Sequence, residues 1–156
     1  MLHKPASLRA LLLAKVPAIR DNPDILSMFV DKGRVLARAT GNLSFQYRYT
    51  LNLVVQDYAG EIDHLILPLL LWISREEPEL LERAPQEPIR YESEILDGDS
   101  ADVSIYLELS ERVLAVWDQA QGKYVVTHLN DANPAPAFDA EGATLQHPAI
   151  SPDPSA

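Results

Sequence analysis

Cysteine is absent from this chain of 156 residues. Its absence excludes disulfides, Cys-ligated zinc and a thiol nucleophile, and it fits a reducing compartment. Glycine is scarce, with six residues scattered singly, so no Gly-rich loop is available to cradle a phosphate. Positive charge is also short. The chain has 13 Lys and Arg against 23 Asp and Glu, for a formal net charge of -10, and no run of cations. Sequence-specific nucleic-acid binding needs clustered Lys and Arg and is not expected here. The same excess of anions opposes self-association at low salt until it is screened. No apolar run reaches the roughly 20 residues of a membrane span. The nearest, residues 62–73, is interrupted by Asp63, His64 and Pro68. The N-terminal apolar run is short, is flanked by Arg9 and Lys15, and lacks a small-residue cleavage site, which argues against a secretory signal.

Catalytic patterns are missing too. His3, His64, His128 and His147 have no HExxH-like spacing, and no serine sits in a GxSxG setting. Asp97-Gly98-Asp99 resembles the start of a calcium loop, with Glu108 at the twelfth position. The sixth position, however, holds Asp102 where the sharp turn needs Gly, and a strand pattern comes next. A hairpin turn explains the segment better. Glu76, Glu77, Glu79 and Glu82 read as a solvated helix end. These observations predict no catalytic residues, no metal site and no cofactor.

What is there begins with residues 43–81. Leu43, Phe45, Tyr47, Tyr49, Leu51, Leu53 and Val55 alternate with Ser44, Gln46, Arg48, Thr50, Asn52 and Gln56. Period-two alternation marks a half-buried antiparallel strand. After Tyr58-Ala59-Gly60 the period becomes helical through Ile62, Leu65, Ile66, Leu69 and Ile73, with Trp72 widening the stripe. Phe45, Tyr49, Leu51, Leu65, Leu69 and Trp72 are the expected core. The opposite strand face, Gln46, Arg48, Thr50 and Asn52, is either a subunit or tail interface or a solvent face. Pro68 inside the helix predicts a kink or a lost hydrogen bond.

Elsewhere, Ser7 is the expected cap of a first helix that stops before Pro17. A second helix is expected from Asn22 through Leu26 to Phe29, with a short strand after Gly33. Further strands are expected over 89–95, from 102 onward through Trp117, and over 123–129. After Leu129 the chain is rich in Pro and Ala and has no Lys or Arg. The expected organisation is one α+β domain over 1–129, with an antiparallel or mixed sheet of five strands and helices packed on it. Residues 130–156 are expected to form an acidic, disordered tail.

Three segments carry a family resemblance. One is the N-terminal stretch, with KPASLRA near the start and NPDILSMFVDKG from Asn22 to Gly33. The second pairs SF-x-x-RYTLN-x-VV-x-D, from Ser44 to Asp57, with G-x-x-D-x-x-x-x-P-x-L-x-W, from Gly60 to Trp72. The third is D-x-S-I-x-L-x-L-S-E-R, from Asp102 to Arg112. Together they resemble the tail completion protein R family of temperate contractile-tailed phages, over roughly 1–117. The resemblance implies a non-catalytic, tail terminator-like structural protein that caps the head-proximal end of the tail and prepares it for head joining. It also implies a homo-hexameric ring that meets tail tube or sheath proteins and the head connector, located in the virion tail after assembly in the bacterial host cytoplasm. An assembly adaptor or chaperone that does not stay in the virion is the alternative. A small hydrolase or metal enzyme is a more distant one.

Overall fold

The computed structural model describes residues 2–38 and 43–129. Two helices, α1 (His3–Lys15) and α2 (Pro17–Asp21), lead through a 3-10 turn (Pro23–Ile25) into β1 (Leu26–Ala37). Then come β2 (Phe45–Tyr58), α3 (Asp63–Glu76), the short α4 (Glu79–Glu82), β3 (Arg90–Ile95), β4 (Ala101–Asp118) and β5 (Lys123–Leu129). The sheet is antiparallel throughout, in the order β1-β2-β4-β3 with β5 also on β4. Arg112 and Val113 pair with β2 on one side and with β5 on the other. So β3 and β5 lie along the same edge of β4, with residues 107–111 between them unpaired on that side. This is an α+β domain with an open five-stranded sheet.

The alternation in β2 and β4 decides which face is buried. Tyr49, Leu51, Leu53 and Val55 of β2 and Val103, Ile105, Leu107 and Leu109 of β4 share one buried cluster. Leu8 and Leu12 of α1 and Leu65, Leu69, Trp72 and Ile73 of α3 close it from above. A buried side chain of this size stabilises by roughly 1.5–3 kcal/mol, so this layer dominates the fold. Trp72 is 3% exposed, and its indole N–H donates to Ser7 Oγ at 3.0 Å. Phe45 is only half-buried and lies outside the cluster.

Several boundaries differ from the sequence reading. Helix α1 starts at His3, four residues before Ser7, so Ser7 lies inside it and serves Trp72 instead of capping. The expected second helix shrinks to the 3-10 turn, and Leu26 and Phe29 belong to β1, while α2, which was not expected, lies before it. β-sheet pairing to Val55 and Asn52 wins there over a weak helical pattern. Gly33 does not separate elements. It sits in a bulge, where Lys32 takes a positive φ of 54° and the register shifts between Asp31 and Arg34. The α3 helix runs through Pro68, at the cost of the bond its N–H would make to the carbonyl of His64. Gly60 is required by close approach. A Cβ there would lie 2.5 Å from the Tyr58 hydroxyl, which donates to the Glu61 carbonyl. The segment 130–156 lies outside the described residues.

Candidate functional site

A cluster of buried charge marks where the helices end. In β4 the core-facing phase runs Val103, Ile105, Leu107, Leu109, then Glu111, then Val113. Glu111 is 2% exposed. Its carboxylate accepts the N–H groups of His3 and Lys4, the first residues of α1, at 2.8 and 2.9 Å. It also accepts the Tyr49 hydroxyl at 2.7 Å, and it lies 3.0 Å from His128 Nδ1. A carboxylate at a helix N-terminus satisfies N–H groups that have no intrahelical partner and meets the positive end of the dipole. Burial alone would raise the Glu111 pKa. The hydrogen bonds from His3, Lys4, Tyr49 and His128 outweigh it and hold the group below the usual carboxylate range. Tyr49 shifts the other way, with burial first and the nearby Glu111 and Glu77 carboxylates adding to it.

A second buried carboxylate, Glu77, comes just after α3. It is 2% exposed, which corrects its reading as part of a solvated helix end. Its partners explain the burial. Lys4 Nζ approaches to 2.7 Å, and Ser110 donates its backbone N–H at 3.1 Å and its hydroxyl at 3.3 Å. Ser110 lies in the stretch of β4 that neither β3 nor β5 pairs, so a side chain completes the edge where a strand is missing. Lys4, Glu77, Tyr49, Ser110, Glu111 and His128 thereby tie α1, α3, β2, β4 and β5 at one level of the sheet.

His3, Glu111 and His128 also bring three metal-capable groups within 4.8 Å of one another. The geometry suits hydrogen bonding better. The His3 and His128 rings stack with centroids 4.0 Å apart and planes 22° from parallel, so no single point lies in both ring planes at zinc–nitrogen distance, about 2.0–2.1 Å. The Glu111 oxygens already face four partners.

The outer face of the sheet holds the four residues read as an interface. Arg48 is exposed and Gln46 half-buried, but Thr50 is only 5% exposed. The Thr50 hydroxyl bonds the Glu108 carboxylate at 3.0 Å, and Glu108 pairs with Arg90 at 3.3 Å. The Arg90 guanidinium lies over the Tyr106 ring at 5.1 Å. Asn52 is half-buried, and its Oδ1 is enclosed without a hydrogen-bond partner. Arg48 shares a cavity of about 360 Å³ with Lys32, Arg34 and Arg83, opposite Glu79 and Glu108.

Past the level of Glu111 the sheet continues without helices among the described residues. Val113 and Ala115 are buried but lie outside the main cluster. The β4–β5 ribbon beyond them exposes Leu114, Val116, Trp117, Tyr124, Val125 and Val126. Trp117 and Tyr124 pack edge to face, 5.1 Å between centroids.

Sequence reasoning passed over the buried tie. The signal was present, because Glu111 interrupts an otherwise apolar phase of β4. Lys4 and Glu77 carry no such mark, since each lies where charge is ordinary. The segments of the family resemblance nevertheless supply the tie: Lys4 and Ser7 come from the first, Tyr49 and Trp72 from the second, Ser110 and Glu111 from the third.

Fold and site define a small α+β assembly domain, with buried charges fastening helices to sheet and an apolar ribbon left bare at one end. The family described as P2 phage tail completion protein R (GpR) matches residues 2–132, and the chain belongs to that family. It is similar to tail completion protein R of Escherichia phage P2, at 35% identity over 133 residues covering 84% of each chain. No solved structure matches.

Proposed function

We propose that this protein completes the phage tail, capping its head-proximal end and preparing it for joining to the head as a closed ring of six copies. The observation that carries the reading is the family match, which spans every helix and strand described. Its role is structural: the buried charges hold elements together, and the bare ribbon and the outer face around Gln46, Arg48, Thr50 and Asn52 offer contact surface. Thr50 and Asn52 contribute shape and support from within, while Arg48 reaches outward. The partners in this reading are other copies, tail tube or sheath proteins and the head connector. The site of action is the virion tail, after assembly in the host cytoplasm.

Electron microscopy of tails made without this protein tests the reading. Tails of abnormal length, or tails that cannot join heads, are expected. Normal tails that join heads would overturn it. Mass spectrometry of purified tails separates a resident cap from an adaptor that leaves.

A further inference from the structure

The exposed charges are sorted by position along the sheet. At the Phe45 end of β2 stand Lys32, Arg34, Arg38, Arg48, Arg112 and Lys123, all exposed, against Asp31, Glu79, Glu108 and Asp118. At the opposite end, Asp57, Glu61, Glu92, Glu94, Asp97 and Asp99 are all exposed. The segments that build that acidic end, 55–63 and 91–104, contain no Lys or Arg. A chain of net charge -10 thus has a basic end, and that end carries the bare ribbon.

The ribbon is apolar on both faces. Trp117, Tyr124 and Val126 project on one, and Leu114, Val116 and Val125 on the other. Trp117 is 50%, Val116 51% and Val126 53% exposed. Two strands alone are marginally stable in water, and contiguous exposed apolar surface marks a contact site. A paired Trp and Tyr at its centre is the composition of an interface anchor.

We propose that the ribbon of one copy docks on the acidic end of a second copy, head to tail. Charge complementarity identifies the occupant: the basic rim of the ribbon matches the acidic turn between β3 and β4. A chain cannot make this contact with itself. The turn precedes Ala101 and the ribbon ends at Asp118, so the 18 residues of β4 separate them, on the order of 50 Å at strand rise. Two different patches meeting in this way form a heterologous interface, which closes into a ring when the rotation closes. The local attraction also answers how copies associate despite their net repulsion. This inference rests on the ring reading above and names the two surfaces it joins.

The cysteine-free chain makes the test clean. Thr127→Cys on the ribbon and Asp99→Cys on the acidic turn both change exposed positions. The two full-length variants are mixed in equal amounts at high concentration and oxidised. The expected product is a dimer linking one variant to the other, in about tenfold excess over either self-linked dimer. Adding Arg112→Glu and Lys123→Glu to the first variant lowers that yield about tenfold, and Glu94→Lys with Asp97→Lys in the second restores it. Equal self-linked products, no link, or a yield indifferent to charge reversal overturns the proposal. A link that forms only when residues 131–156 are deleted makes the chain's own segment the occupant and overturns it too. Imaging of tail ends separates the two failures. A ring without the cross-variant link sinks only this interface, whereas a tail end with no ring sinks the ring reading as well.

Discussion

Between Tyr49 and Val55, β2 lays its apolar face against α1 and α3. Around Phe45 the same alternation continues and no helix of the described residues meets it. β4 repeats the contrast, buried with the helices through Leu109 and bare from Val116 to Trp117. The two regions have one pattern and two outcomes, because strand alternation says which side is apolar and not what covers it. The boundary is chemical. Glu111 takes the place where the next core residue would stand, and it anchors the first N–H groups of α1. The helical layer begins at that carboxylate. One half of the molecule is held by the chain's own packing, and over the other no helix of the described residues lies.

Removing the boundary gives the largest expected effect. Glu111→Ala takes the acceptor from two helix N–H groups and from the buried Tyr49 hydroxyl. Stripping one side of a buried charged site costs about 3–5 kcal/mol. Chemical denaturation should show a loss of that size. A loss below about 1 kcal/mol, the scale of a neutral hydrogen bond, would show that the helices do not depend on the carboxylate. Trp72→Ala tests the covered half by packing alone. It removes a side chain that is 3% exposed and joins α3 to Ser7 of α1, again at about 3–5 kcal/mol. A variant as stable as the parent but unable to assemble would move Trp72 to a binding surface.

The covered half was largely legible beforehand. The alternations of β2 and β4 and the apolar girth of α3 are strong periodic signals that local sequence carries by itself. Helix α2 and the first half of β1 were not legible; a strand was expected only after Gly33, because Asn22-Pro23-Asp24 is a good helix start in isolation and only pairing with β2 draws residues 26–33 into the strand. The buried tie was half legible, through Glu111 alone. Burial of Lys4 and Glu77 depends on groups 73 residues apart in the chain, which no local pattern contains. The bareness of the ribbon was not legible at all, since Trp117 and Val116 read like any core strand.

An acid titration gives a smaller effect at the same boundary. The folded-state pKa of Glu111 lies below its ordinary value, near 4.3 in an unfolded chain. Its contribution is therefore complete above that unfolded value and fades as pH falls through the lowered folded value. Glu111→Gln removes the titration while keeping the size. The gap in melting temperature between parent and variant should be constant at neutral pH and narrow below about pH 4. A gap that is the same at about pH 3 and about pH 7 would assign the stabilisation to shape instead of charge.

On the bare half, substitutions should leave stability nearly untouched. Val116→Ser alters a residue already half in water, so it should change the folding free energy by about 0.5 kcal/mol or less, and Trp117→Ser, which also loses its edge-to-face contact with Tyr124, by about 1 kcal/mol. The matched losses belong to assembly. A large stability loss in isolated subunits would mean that the ribbon is held by its own chain.

Deleting residues 131–156 should have the least effect. The segment comes directly after β5, and it offers Phe138, Leu145 and Ile150 as its only bulky apolar residues among many Pro and Ala. Ordering a residue costs roughly 1–2 kcal/mol of backbone entropy. Three such side chains, each giving roughly 1.5–3 kcal/mol if fully buried, cannot order a segment of that length. A chain ending at Asn130 should therefore melt within a few degrees of the full protein, a range that for a domain of this size corresponds to about 1 kcal/mol. A drop well beyond that range would place the segment on the domain. If the drop disappeared in a chain also carrying Val116→Ser and Trp117→Ser, the segment would be the cover of the ribbon, and the bare half would be bare no longer.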